Sequence, residues 1–166
     1  SRDIGLYSDT AGKTPVTGTT VEKVFGKESK LLSFAVSDAG TYYLESVTNE
    51  LCIYRIDIVY PEVSAPSFEN VTMKVSDVIT AGTLTADSTN KQTLSNITIA
   101  EGIVFTTTET KIDAHTNTVG GVDFTHRIVL GKPSSTKPRN FAITTEGACT
   151  IKVYVANTSG KDDTRN

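Results

Sequence analysis

CTIKVYVA, residues 149–156, decides how the rest of the chain is read. Its apolar residues fall on every second position. Cys149, Ile151, Val153 and Val155 point one way, and Thr150, Lys152 and Tyr154 point the other. A period of two belongs to a strand with one face on a core and one face outward. The stretch LCIYRIDIVY, residues 51–60, reads the same way. Cys52, Tyr54, Ile56 and Ile58 share one face, and Ile53, Arg55 and Asp57 share the other.

Outward from these two stretches, strand signals recur about every 8 to 12 residues, which is the spacing of a sandwich. Strands are expected near 4–8, 21–25, 30–36, 40–47, 51–59, 70–78, 95–99, 102–106, 110–114, 123–131, 139–145, 148–156 and 162–166. Turn chemistry separates them in SDAG, VTNE, TADSTNKQT, TVGG and GKPSSTKP, where Gly, Asn, Asp and Pro supply the bends. No window carries a helical stripe; TVEKVFGKESKLLSF comes nearest, and Gly26 interrupts it. The expected class is all-β, an antiparallel, jelly-roll-like β-sandwich. At 166 residues and 37% apolar content the chain suffices for one such domain.

PEVSAPS, residues 61–67, reads as a linker, because prolines end both ladders and helices. The net charge of −3 gives no electrostatic footprint for nucleic acid. No apolar run approaches the roughly 20 residues of a membrane helix. Motifs for an acyl-transfer serine, a zinc protease, a phosphate-binding loop or an EF-hand are missing. Asp162 and Asp163, beside Gly160, read as a solvated turn, with a structural calcium as the weaker reading. Asn70, Asn96 and Asn157 stand in N-x-S/T sequons, which are common by chance in a Thr-rich chain. Cys52 and Cys149 read as buried thiols that behave as small hydrophobes, with a disulfide as the alternative if their strands are neighbours. A catalytic thiol would need His115 or His126 as its base, and neither shares a motif with a cysteine.

Three segments carry a resemblance: RDIGLYSDTAGK (2–13), AGTYYLESVTNELCIYRIDIVY (39–60) and FTHRIVLGKPSSTKPRNFAITTEGACTIKVYVANTSGKDDTR (124–165). Together they resemble the β-sandwich carbohydrate-binding modules appended to bacterial pectate lyases and related polysaccharide-degrading enzymes. In that family the G-T-Y-Y strand and its I-Y-x-I-x-V successor close the module; here they stand at 40–58, ahead of the opening strands at 70 onward. Arg2 and Arg165 both match the family's single D-x-R arginine. The order therefore implies a circular permutation: residues 1–60 match the C-terminal half, 61–69 the linker, and 70–166 the N-terminal half. A chain spanning two half-modules, or a domain-swapped oligomer, is the alternative. A single permuted sandwich leaves fewer open edges.

The resemblance implies a secreted bacterial, non-catalytic module. It would bind plant cell-wall polysaccharide, above all pectin (homogalacturonan), and hold an attached enzyme at its substrate. The chain has no Trp, so an indole platform for a neutral glucan is missing. Lysines and arginines can hold an anionic sugar instead, through charge-assisted bonds to its carboxylates. Lys132, Lys137 and Arg139 flank one Pro/Ser loop, Lys152 projects from the outward side of its strand, and Tyr154 is its stacking neighbour. Glu45 and Ser46 stand where the family tends to carry a lysine. The competing expectation is a structural spacer in a bacterial surface protein or adhesin, without a sugar site.

Overall fold

The computed structural model describes residues 2–10, 14–62, 68–131 and 139–157. In chain order the elements are β1 (Arg2–Tyr7), β2 (Glu22–Val24), β3 (Ser29–Val36), β4 (Gly40–Ser46), β5 (Leu51–Val59), β6 (Val71–Lys74), the short helix α1 (Val75–Thr80), β7 (Asp87–Ala100), β8 (Ile103–Val119), β9 (Val122–Leu130), β10 (Arg139–Thr145) and β11 (Cys149–Asn157). Every strand pairing is antiparallel. The fold is all-β and antiparallel, as the alternation requires.

One hydrogen-bonded path runs β2-β1-β4-β10-β8-β9-β5-β11-β3, with β6 added on β5 and β7 on β8. The path curls until its ends meet. Asn157, at the end of β11, donates its backbone N–H to the Glu28 carbonyl and its side-chain amide to the Val24 carbonyl. Arg2 Nε donates to Asn157 Oδ1 at 3.1 Å, so the first and last described residues touch. The main core draws on both sides of PEVSAPS, for example Leu44 and Ile56 before it and Ile103, Phe141 and Val153 after it. β5 and β6 pair directly with each other, from Ile58↔Val71 to Arg55↔Lys74, so the segment joins two neighbouring strands. Its flanks are tied by the Tyr60 N–H to Asn70 Oδ1 at 2.7 Å and by the Tyr60 and Phe68 rings, 5.2 Å apart. Residues 63–67 lie outside the described residues, as does the strand expected at 162–166.

Three local expectations change. Residues 75–80 form a helix: Val75 and Val78 are both buried three positions apart, and Gly82, at φ 78°, ends the turn. Six residues are too few for a helical period to show. The Thr-rich stretches read as turns and separate short strands belong to long β7 and β8, whose ladder slips at several points. Their exposed polar residues show no apolar alternation, although Thr suits a strand.

The third change is a β-bulge. Tyr154 pairs with Arg55, but Val155 pairs with Ile53, which leaves Tyr54 as the extra residue of β5. One extra residue reverses the facing of everything beyond it. Ile53, Ile56 and Ile58 therefore all reach the main core, while Cys52 and Tyr54 turn outward. There they join Val119, Phe124, Tyr154 and Ala156 in a second cluster. The β8–β9 hairpin covers that cluster and turns back at Gly120 and Gly121, with φ of 57° and 78°. Two successive positive φ values are the two-residue hairpin geometry that matches strand twist.

Candidate functional site

Cross-strand partners share a face, so the ladder register fixes which side chains surround Lys152. One row across the outward side is Ser33 on β3, Lys152 on β11, Asp57 on β5 and Thr72 on β6. The next row is Leu31, Tyr154, Arg55 and Lys74. Ser33, Ala35 and Thr72 are exposed, and Lys152 and Lys74 are half-buried. Lys152, Arg55 and Lys74 thus gather around one carboxylate. Arg55 Nε donates to Asp57 Oδ1 at 2.7 Å, and that bond holds the guanidinium more firmly protonated than usual. Among the described residues, the ammonium groups of Lys152 and Lys74 have no carboxylate partner. Lys74 Nζ lies 5.9 Å from the centre of the Phe124 ring. Asp77, on α1, adds a weaker negative field at the margin of Arg55.

Tyr154 does not offer its ring to a ligand. It is only 8% exposed, with Arg55 5.4 Å from its ring centre and Phe124 packed edge-on at 5.5 Å. The tip of the β8–β9 hairpin lies over it; a Cβ on Gly120 would sit 3.5 Å from Tyr154 Cε1. The outward side is therefore an open strip along Ser33, Lys152 and Thr72, bounded by the hairpin. Arg139 is elsewhere. It starts β10, and β8, β9 and β5 stand between that strand and β11. At about 4.8 Å per strand spacing, roughly 19 Å of sheet separates it from Lys152. Lys132 and Lys137 lie outside the described residues, as do Asp162 and Asp163.

Arg55 and Lys74 were not among the residues expected from sequence. Arg55 carried a weak signal, its i, i+2 spacing to Asp57. Lys74 carried none, because only the β5–β6 pairing brings it alongside.

Both thiols are free and buried. Burial pushes each up to about 11. Cys52 pairs with Ala156, seven positions along β11 from Cys149. That is about 23 Å at 3.3 Å per residue, far beyond the ~7 Å limit for a disulfide. The polar neighbour of Cys52 is Arg127, whose Nη1 lies 3.2 Å from its sulfur, and not a histidine. Among the described residues no three His, Cys, Asp or Glu side chains gather closely enough to hold a metal ion. No family model, curated protein or solved structure matches the chain.

Proposed function

We propose that the domain binds an acidic polysaccharide, pectin in the first place, without acting on it chemically. The strip Ser33–Lys152–Thr72 receives the chain, and Lys152, Arg55 and Lys74 meet its carboxylates. One observation carries this reading: two ammonium groups that have no carboxylate partner among the described residues share a sheet face with Arg55 and Asp57. The resemblance of residues 2–13, 39–60 and 124–165 to pectate-lyase modules supplies the ligand class and the role of tethering an attached enzyme.

An exposed ion pair contributes only about 0–1 kcal/mol, so several contacts in register are needed and the affinity is weak. Affinity electrophoresis against homogalacturonan, esterified pectin, xylan and cellulose tests the reading. Homogalacturonan alone should retard the protein strongly, less so as salt rises from about 50 to 500 mM and the Debye length shrinks. Lys152→Ala should abolish most of the retardation with an unchanged melting temperature. Retardation that ignores both salt and esterification would sink the mechanism. The spacer reading draws on one observation: Tyr154 is covered, so this face has no aromatic platform. Absence of retardation by every polymer would favour it.

A further inference from the structure

A second cationic site lies at the other end of β5, and it stands independently of the polysaccharide face. A cavity of about 170 Å³ opens between β7, β8, β9 and β10, lined by Lys91, Lys111, Arg127 and Arg139 together with Glu50 and Glu109. Two of the neighbouring carboxylates are each shared by two cations. Glu109 takes Lys91 at 3.1 Å and Arg139 at 3.4 Å. Asp113 takes Arg127 at 2.8 Å and Lys111 at 3.3 Å. Among the described residues, four cations stand with the lining carboxylates Glu50 and Glu109 and the adjoining Asp113.

Arg139 is the donor with capacity to spare. Its side chain is 16% exposed, its bond to Glu109 is long, and its buried Nε has no hydrogen-bond acceptor among the described residues. A buried N–H without a partner is costly, and more so when the group is charged. Gly131 makes this placement fit: a Cβ there would come within 2.3 Å of Arg139 Nη1 and 2.8 Å of its Cδ. The guanidinium thus lies flat on bare backbone at the cavity wall.

We propose that this cavity is a receptor for a single compact carboxylate, taken by Arg139 with Lys91 and Lys111 alongside. The guanidinium fork matches a planar carboxylate. The two lining glutamates favour a monoanion over a dianion such as phosphate. The volume falls below the ~300–1,000 Å³ of sites that enclose drug-sized ligands, so a lone acidic unit fits and a run of polymer does not.

Amide chemical-shift titration of the full chain with D-galacturonate tests this, with glucose and inorganic phosphate at pH 8 as controls. Saturable shifts should appear around Thr110, Lys111 and Gly131, be lacking with glucose, and be weaker with phosphate. Arg139→Gln and Gly131→Ala should each weaken binding about tenfold or more, the size of one lost charge-assisted bond. Gly131→Ala acts by displacing the flexible guanidinium and should leave the fold intact. Lys152→Ala should change nothing here, so failure at the polysaccharide face and failure at this cavity are told apart. The proposal falls if galacturonate gives no saturable shifts, if glucose matches it, if phosphate binds more tightly, or if folded Arg139→Gln and Gly131→Ala bind like wild type. Should neither variant fold, Lys91→Gln at an exposed position replaces them, and unchanged binding there overturns the site.

Discussion

Glu45→Gln should make the protein's stability less sensitive to pH. Glu45 sits near the end of β4, opposite Gly5 of β1 and Asn140 of β10. It is 0% exposed. One carboxyl oxygen accepts from Asn140 Nδ2 at 3.2 Å, and the other, Oε2, has no partner among the described residues. The Tyr7 ring folds back over Gly5, where a Cβ would meet its hydroxyl at 2.9 Å, and closes this side of the sheet. Burial pushes the Glu45 carboxyl from 4.5 up to about 7; the Asn140 bond opposes the rise and Asp9 adds to it. The unfolded chain loses this proton near 4.5, while the folded chain keeps it to about 7. Between those values the folded state holds more protons, so stability falls as pH rises, then levels off. At about 1.4 kcal/mol per pH unit the total loss is about 3–4 kcal/mol, of which about 2–3 kcal/mol falls between pH 4.5 and 8. Glutamine keeps an oxygen for Asn140 and cannot ionise. Denaturant titrations of both proteins from pH 4.5 to 8 should show the variant gaining about 2–3 kcal/mol on wild type across the range. For a domain of this size that is about 4–12 °C in Tm. Parallel curves, or a variant that loses ground as pH rises, would refute the argument.

Three further outcomes follow from packing. With both thiols held up at about 11, a disulfide-exchange reagent at pH 8 should react only as fast as the protein opens, and with both cysteines after denaturation; rapid labelling of the native protein would contradict their burial. Gly102→Ala should cost about 2 kcal/mol or more, because φ is 66° and the new Cβ would lie 2.7 Å from the Thr144 carbonyl oxygen; thermal melts matching wild type would rule this out. Tyr154→Ala should cost about 3–5 kcal/mol by opening the second cluster, against about 0.5 kcal/mol or less for Lys152→Ala; the reverse order in denaturant melts would show that the ring is not buried.

β11 was legible from its residues, because Cys149, Ile151, Val153 and Val155 keep their parity along its length and all reach the main core. β5 was legible as a strand but not in its facing. Tyr54 is the bulged residue, and nothing in its type or neighbours marks it; the mismatch exists only against the ladder of β11. The same limit separates what could be read of the sites. Lys152 projects outward by local alternation. Its companions Arg55 and Lys74 depend on the bulge and on β6 returning beside β5. Lys132, Lys137, Arg139 and Lys152 looked like one group along the chain, yet the sheet order sets Arg139 four strands from Lys152. Gly131 read as an ordinary loop glycine, since its reason, the guanidinium of Arg139, comes from the neighbouring strand β10.

The β8–β9 hairpin decides what kind of recognition the outward face can perform. By packing its own Phe124 against Tyr154 it covers that ring, and Arg55 lies between the Tyr154 ring and Asp57. What remains accessible beside it is small, polar and cationic: Ser33, Thr72, Lys152, Lys74 and the partly exposed Arg55. Stacking tolerates many sugars, because its attraction needs only an apolar ring face. Charge pairing in a partly exposed strip is weak for each contact, fades with salt and depends on where the ligand's charges fall. On the proposed function, a face built this way would discriminate by the spacing and ionisation of carboxylates along a polymer. Asp57, between Lys152 and Thr72 in the row, would then disfavour an anion placed on its own strand and leave the flanking cations as the favourable positions.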